Sequence, residues 1–345
     1  MTGPARLGYA INQWKPNFDD FTRREQHVRA LKVIAACGFT GIELRAGTGR
    51  WDPLGRPASI AANYGSAAAF TDLLRQIGVE AVCSWYFDPA EPVGEELSPG
   101  RSVLEGGQHR AIAESVKPFA EFLAAAGGSR LVVRPLPSAW QTGELSADAI
   151  AIAAQGWNQV GAATAGLGVT ISLHVDCLSS AADAKTLDAL LEATDPALVG
   201  LTLDTAELTL AGLDPVAVYQ RHRDRVDHVH LKDTRHVDEA GERQRPHAEA
   251  AMLQAGGDRG VERWFYECGT LGGLVDFPAL LAALRADGYS GWLIFESEQT
   301  PNPARSVMLN GRYARHMLPG LSKNPPSAMT GQPYVAYEHK LVTRC

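Results

Sequence analysis

Two imidazoles and an ammonium share one side of a short segment, VDHVHLKD (226–233). In a strand, the period of two puts His228, His230 and Lys232 on one face and Asp227, Val229 and Leu231 on the other. Buried polar groups cost stability unless something satisfies them, so such a face suits a site better than a core. Four other apolar runs end in the same way: GIELR (41–45), VTISLHVD (169–176), VGLTLDTAE (199–207) and GWLIFESE (291–298). Taken together, the polar ends are Glu43, His174, Asp176, Asp204, Glu207, His230, Lys232 and Glu296. Carboxylates with one or two imidazoles form a mixed nitrogen and oxygen ligand set that suits Mn²⁺, Co²⁺, Fe²⁺ or Zn²⁺ better than Mg²⁺. A divalent ion there acts as Lewis acid and template on a carbonyl or hydroxyl oxygen. The competing reading is a set of buried ion pairs that only orders the strand ends.

The elements that must position these groups alternate regularly. Residues 7–12, 39–44, 79–85, 130–134, 169–175, 199–203, 226–233 and 291–295 read as strands. Helical periodicity covers 21–37, 67–77, 111–126, 147–165, 181–193, 214–222 and 277–286, with Asp214-Pro215 reading as a helix start. Strands alternating with helices predict a parallel sheet, and eight such units predict a closed (β/α)8 barrel. Three long segments, 46–58, 87–107 and 234–273, all follow strands, the side on which such barrels keep their chemistry. We read residues 1–320 as the barrel domain and 321–345 as an irregular tail, which either wraps a neighbouring subunit or stays without order. Trp14, Trp85, Trp140, Trp264 and Tyr266 fall near strand ends or in the long loops, as sugar-facing walls or as ordinary packing.

Bulk properties exclude several classes. A net charge of −7 without basic runs argues against nucleic acid or an anionic membrane as partner. No apolar window approaches the roughly 20 residues a spanning helix needs. The start, MTGPARLGYA, has no apolar core of the signal-peptide kind, which makes the cytoplasm the expected location. Five scattered cysteines without CxxC spacing indicate neither a disulfide framework nor a zinc ribbon.

HVHLKD (228–233), LDTAEL (203–208), GFTGIEL (38–44) and GYSGWLIFESEQ (288–299) resemble the xylose-isomerase-like barrels of the sugar phosphate isomerase/epimerase superfamily. Within it the resemblance is nearest to inosose dehydratases, and a related group is the catalytic subunit of C-glycoside deglycosidases. It covers roughly residues 7–318 and is most specific in the last third. The resemblance implies one divalent metal, with Mn²⁺ foremost and Co²⁺, Fe²⁺, Zn²⁺ or Mg²⁺ as alternatives. The implied ligands are His174 or Asp176, then Asp204, His230 and Glu296. We assign His174 to the metal and Asp176 to the general base, leaving the reverse open; Lys232 donates to a developing oxyanion or leaving group, and Glu43 holds sugar hydroxyls. The chain departs from the dehydratase pattern where His174-Val175-Asp176 stands in place of His-x-His and Glu207 replaces the His of Asp-Thr-Gly-His.

The expected function is a metal-dependent lyase acting on a keto-sugar, keto-inositol or 3-oxo-glycoside by enolisation and β-elimination. The alternatives are an aldose–ketose isomerase or epimerase with the same metal, and a non-catalytic sugar-binding barrel. The expected assembly is a homo-oligomer, with or without a small β-rich second subunit.

Overall fold

The computed structural model describes residues 5–14, 23–46, 54–90, 100–246 and 263–317. Eight parallel strands close into a barrel: β1 (Arg6–Ala10), β2 (Gly41–Arg45), β3 (Ala81–Phe87), β4 (Arg130–Val133), β5 (Thr170–His174), β6 (Val199–Asp204), β7 (Val226–Leu231) and β10 (Trp292–Phe295). The circle is completed by β1 pairing with both β10 and β2. Between β7 and β10 the chain forms a small antiparallel pair, β8 (Asp233–Thr234) with β9 (Phe265–Tyr266). The helices are α1 (Arg24–Ala36), α2 (Pro57–Tyr64), α3 (Ala67–Ile77), α4 (His109–Ala125), α5 (Ala139–Thr142), α6 (Ala147–Ala165), α7 (Ala184–Ala193), α8 (Thr205–Leu210), α9 (Pro215–His222), α10 (Phe277–Ala286) and α11 (Pro303–Met317).

The eight expected strands are those of the barrel, each displaced by no more than a few residues. Local chemistry explains the sharpest helix starts. Ser66, Ser146, Asp183 and Asp276 each accept a hydrogen bond from a backbone N–H three residues on, and Asp214 caps α9 ahead of Pro215. Gly78 ends α3 in the left-handed region at φ 104°, which a residue with a Cβ rarely adopts. The elements not expected were α2, α5, α8, α11 and the β8/β9 pair. The reading of 321–345 as an irregular tail lies outside the described residues, as do parts of the three long loops. Among the described residues no helix is long and apolar enough to cross a membrane.

The core has two layers. Outward-facing strand residues such as Tyr9, Ile42, Val82, Leu131, Ile171, Leu201 and Val229 pack against the helix ring. Trp85 belongs to this layer, edge-on to Phe119 and Phe122, so it is packing and not a sugar wall. Inside the barrel, Ala10, Ala81, Cys83, Trp292 and Ile294 form a separate cluster. Volume is shared unevenly there. A Cβ on Gly41 would stand 2.4 Å from the Trp292 ring, and one on Gly8 would stand 2.6 Å from Ile294 Cδ1. Small residues on β1 to β3 thus make room for the large ones on β10, and the Arg6 guanidinium stacks on the same indole at 4.3 Å.

Filling that space is expected to be costly at the end of the barrel away from the polar strand termini. Gly41→Val supplies a good strand former but overpacks Trp292. It should lower stability by about 1–3 kcal/mol, read as a lower urea midpoint at unchanged slope.

Candidate functional site

Parallel strands end together, so the last residues of neighbouring strands face a common opening. His174 is the last residue of β5, Asp204 the last of β6, and Glu296 follows β10 directly; His230 lies on β7, one residue before its end. His174 Nε2 stands 3.2 Å from Asp204 Oδ2. His230 Nδ1 stands 3.5 Å from the same oxygen and 3.1 Å from Glu296 Oε2. Metal bonds of about 2.0–2.2 Å to nitrogen and oxygen set donor–donor edges of about 3.0–3.5 Å. The measured separations are edges of that size. Among the described residues, His230 Nδ1 and Glu296 Oε2 are buried and make no hydrogen bond despite their closeness. Two acceptor-type atoms at contact distance without hydrogen-bond geometry are what a shared cation requires. The donor set therefore fits a divalent ion, and His174, Asp204 and His230 group within 4.8 Å of one another.

Asp204 uses its two oxygens differently. Oδ1 caps α8 by accepting from the N–H groups of Ala206 and Glu207, which is why this helix starts without a loop. Oδ2 is left facing the two imidazoles. Burial opposes its charge, but Lys232, His174 and His230 hold the carboxyl well below the usual range. His230 is likewise buried against charge, and Glu43, Asp204 and Glu296 raise it well above an ordinary histidine.

Lys232 is 1% exposed and meets four carboxyl groups. Its Nζ lies 2.9 Å from both Glu207 Oε1 and Glu298 Oε1, 3.3 Å from Asp204 Oδ2 and 3.7 Å from Glu296 Oε2. The Phe265 ring covers it at 4.3 Å. Burial works against the ammonium, and these four carboxyls outweigh it, so Lys232 stays charged. The opposite happens to Glu298: burial and the neighbouring Glu296 carboxylate push its carboxyl well up, toward the protonated form. Glu207 is pushed up too, by burial, although it also accepts from the Cys177 N–H at 2.9 Å.

The remaining expected residues are placed as follows. Asp176 is on the rim, with Oδ2 held by Arg134 Nε at 3.0 Å and Oδ1 accepting from the N–H groups of Leu178 and Ser179 at 2.9 Å each. Glu43 sits deeper, where its Oε2 meets His228, His230 and Ser84. Burial opposes ionisation of Glu43, and His230 and His228 bring its carboxyl down to about 2. Glu43, His174, Asp176, Glu207, His230, Lys232 and Glu296 all line one cavity of about 140 Å³. Asp204 lies beneath it, fully buried. Of the aromatic candidates, Trp264 packs in a small cluster with Phe265 and Leu210, Trp14 meets Tyr9, and Tyr266 is stacked between Arg235 and Arg263.

Arg134, Glu298 and Phe265 were given no role from the sequence, and Asn12 was noted there only as a departure from the dehydratase pattern. Arg134 follows β4 and joins Asp176 to Asp88, 3.3 Å away. Asn12 Nδ2 donates to Glu296 Oε1 at 2.5 Å. Glu298 and Phe265 line the cavity beside Lys232. For Arg134, Asn12 and Glu298 the same signal was present, a polar group just past a strand. Phe265 enters through the β8/β9 pair, whose backbone is fastened by Gln299 Oε1 accepting from the Trp264 and Phe265 N–H groups.

An inosose dehydratase of Lacticaseibacillus casei is 33% identical over 163 residues, 46% of this chain and 52% of the relative. The aligned chain thus spans about half the length of that curated relative. The probable 3-DHS dehydratase AsbF of Bacillus anthracis shares the fold with a TM-score of 0.66 at 12% identity, covering 89% of this chain and 98% of that one. A structure described as IOLI protein with a binding zinc atom superposes at TM-score 0.61 and 14% identity, covering 89% and 95%. The sequence model described as xylose isomerase-like TIM barrel matches residues 31–312, nearly the whole closed barrel, and the chain belongs to that family.

Proposed function

We propose that this chain is a metal-dependent lyase that enolises a keto-inositol or related keto-sugar and expels a β-hydroxyl, with a 3-oxo-glycoside as the wider substrate range. One observation carries the reading: donors from β5, β6 and β7 group within 4.8 Å of one another, and Glu296 Oε2, just after β10, stands 3.1 Å from His230 Nδ1. The dehydratase direction is supported by the inosose dehydratase relative. His174, Asp204, His230 and Glu296 would hold the ion, Mn²⁺ foremost; the zinc of the IOLI structure belongs to that protein. When bound, a divalent ion supplies Lewis acidity toward a carbonyl or hydroxyl oxygen.

The chain's own residues divide the proton work. Asp176, fixed on the rim by Arg134 and two amides, accepts the proton from the carbon beside the ketone. Lys232, a charged donor in a dry setting, stabilises the oxyanion that develops. Glu298, whose carboxyl is held toward its protonated form, gives its proton to the departing hydroxyl oxygen. Phe265 closes over Lys232 and keeps water from it.

Elemental analysis of the purified chain should find one divalent ion per chain. Inosose incubated with it should lose water, as followed by mass spectrometry, and chelation should stop that loss. Turnover that survives chelation would overturn the reading, while conversion at unchanged mass would make the enzyme an isomerase or epimerase.

The roles separate by substitution. His230→Ala and Glu296→Ala should abolish metal retention with the barrel still folded. Asp176→Asn should keep the metal and slow turnover on the order of 10²–10⁴-fold; undiminished turnover would remove Asp176 from the mechanism.

A further inference from the structure

We infer that Glu43 is a positioning residue: by accepting the Nε2–H of His230 it turns the Nδ1 lone pair of that ring toward the metal shell. The inference rests on the metal-binding reading above and names the nitrogen by which His230 takes part.

One carboxylate oxygen here is crowded. Glu43 Oε2 lies 2.7 Å from Ser84 Oγ, 3.1 Å from His228 Nε2 and 3.1 Å from His230 Nε2. A carboxylate oxygen accepts from all three at once, while a protonated one could donate to a single partner. Both imidazoles therefore carry hydrogen on Nε2. A neutral imidazole has only one lone pair for a metal, and with Nε2–H committed that pair is on Nδ1. His230 Nδ1 is the atom 3.1 Å from Glu296 Oε2 and 3.5 Å from Asp204 Oδ2, the two carboxylates of the shell. A carboxylate that holds the second nitrogen of a ligating imidazole fixes its tautomer and ring orientation.

Backbone register puts Glu43 in this position. A shift in the pairing of β2 with β3 between Ile42 and Glu43 sets Glu43 opposite Ser84, whose hydroxyl then reaches the carboxylate. From β7, His228 occupies the same inward face one pleat below His230, and is wholly buried. The paired histidines thus play different parts, with His230 presenting a lone pair to the shell and His228 steadying the carboxylate that aims it. With three donors on Oε2, Glu43 is committed to the barrel interior more than to the sugar hydroxyls expected of it from the sequence.

The same three side chains, Glu43, His228 and His230, offer an alternative ligand group of their own, since their donor atoms lie within 4.8 Å of one another. The test separates the two cases. The chain is stripped with a chelator and titrated with Mn²⁺, with free ion read by electron paramagnetic resonance, for the parent, Glu43→Gln and Ser84→Ala. One Mn²⁺ per chain is expected throughout, with affinity lowered about 10–100-fold in Glu43→Gln and by a smaller factor in Ser84→Ala. In the Co²⁺-loaded parent, proton spectra should show a paramagnetically shifted, exchangeable Nε2–H of His230, displaced or exchange-broadened in Glu43→Gln. Thermal unfolding of the metal-free variants checks that the barrel is intact. A parent that binds one Mn²⁺, with variants equal to it in affinity and in the N–H signal, overturns this inference and leaves the metal reading standing. Two ions in the parent and one in Glu43→Gln overturn it too, by making Glu43 a ligand. A parent that binds no divalent ion removes the metal reading, and this inference with it.

Discussion

Burying Glu43, Asp204, Glu207, Glu296 and Glu298 at one end of a barrel requires positive charge threaded between them. An unpaired ionised carboxylate costs far more inside a protein than any single contact returns. Lys232 supplies one charge, reaching four of the five within 3.7 Å. His230 stands between Glu43 and the Asp204–Glu296 pair and bridges them with its two ring nitrogens. The excess acid shows in the way the proton affinities separate. Glu43, Asp204 and Glu296 fall below the ordinary carboxylate range, and Glu207 and Glu298 rise above it, although burial pushes all five upward. The three that fall all meet His230, while Glu207 and Glu298, though each 2.9 Å from Lys232, also face neighbouring carboxylates. A divalent ion would relieve the same imbalance.

The barrel makes this crowding possible because its interior was filled elsewhere. Below the polar layer, Trp292 and Ile294 occupy the space left by Gly8 and Gly41. The strands can then end in polar side chains with no loss of core. Strand ends also double as helix starts: Asp204 caps α8 with one oxygen and addresses the site with the other. That economy holds the carboxylate at two points, so its Oδ2 direction is set by backbone and not by a free rotamer.

The sequence made the scaffold legible because a buried parallel strand is an apolar run ended by polar residues, and eight such runs survive in order. It also made most of the rim legible, since the period of two assigns faces: His228, His230 and Lys232 do share one. What it could not carry was pairing across the barrel. Nothing local to Asp176 announces that Arg134, 42 positions earlier in the chain, takes one of its oxygens. Nor does Glu43 announce that His228 and His230 share its Oε2. The missed elements have equally physical causes. α8 is short and continuous with β6, so its helical period is never repeated. β8 and β9 are two residues each, held by their mutual hydrogen bonds, by the Gln299 side chain and by the Asp233 carboxylate, all contacts distant in the sequence.

The departures from the dehydratase pattern have a counterpart in the geometry. Glu207 stands where those relatives tend to carry a histidine, and it meets Lys232 at 2.9 Å and the Cys177 N–H at 2.9 Å. A histidine there would be neutral or positive beside an ammonium, and the Lys232 charge would lose one of its two shortest partners. Asp176 stands where a second histidine would follow His174, and it is matched by Arg134, which in turn is shared with Asp88. Each replacement puts a carboxylate next to a buried cation that this chain also possesses. The two changes are thus compensated pairs, Glu207 with Lys232 and Asp176 with Arg134.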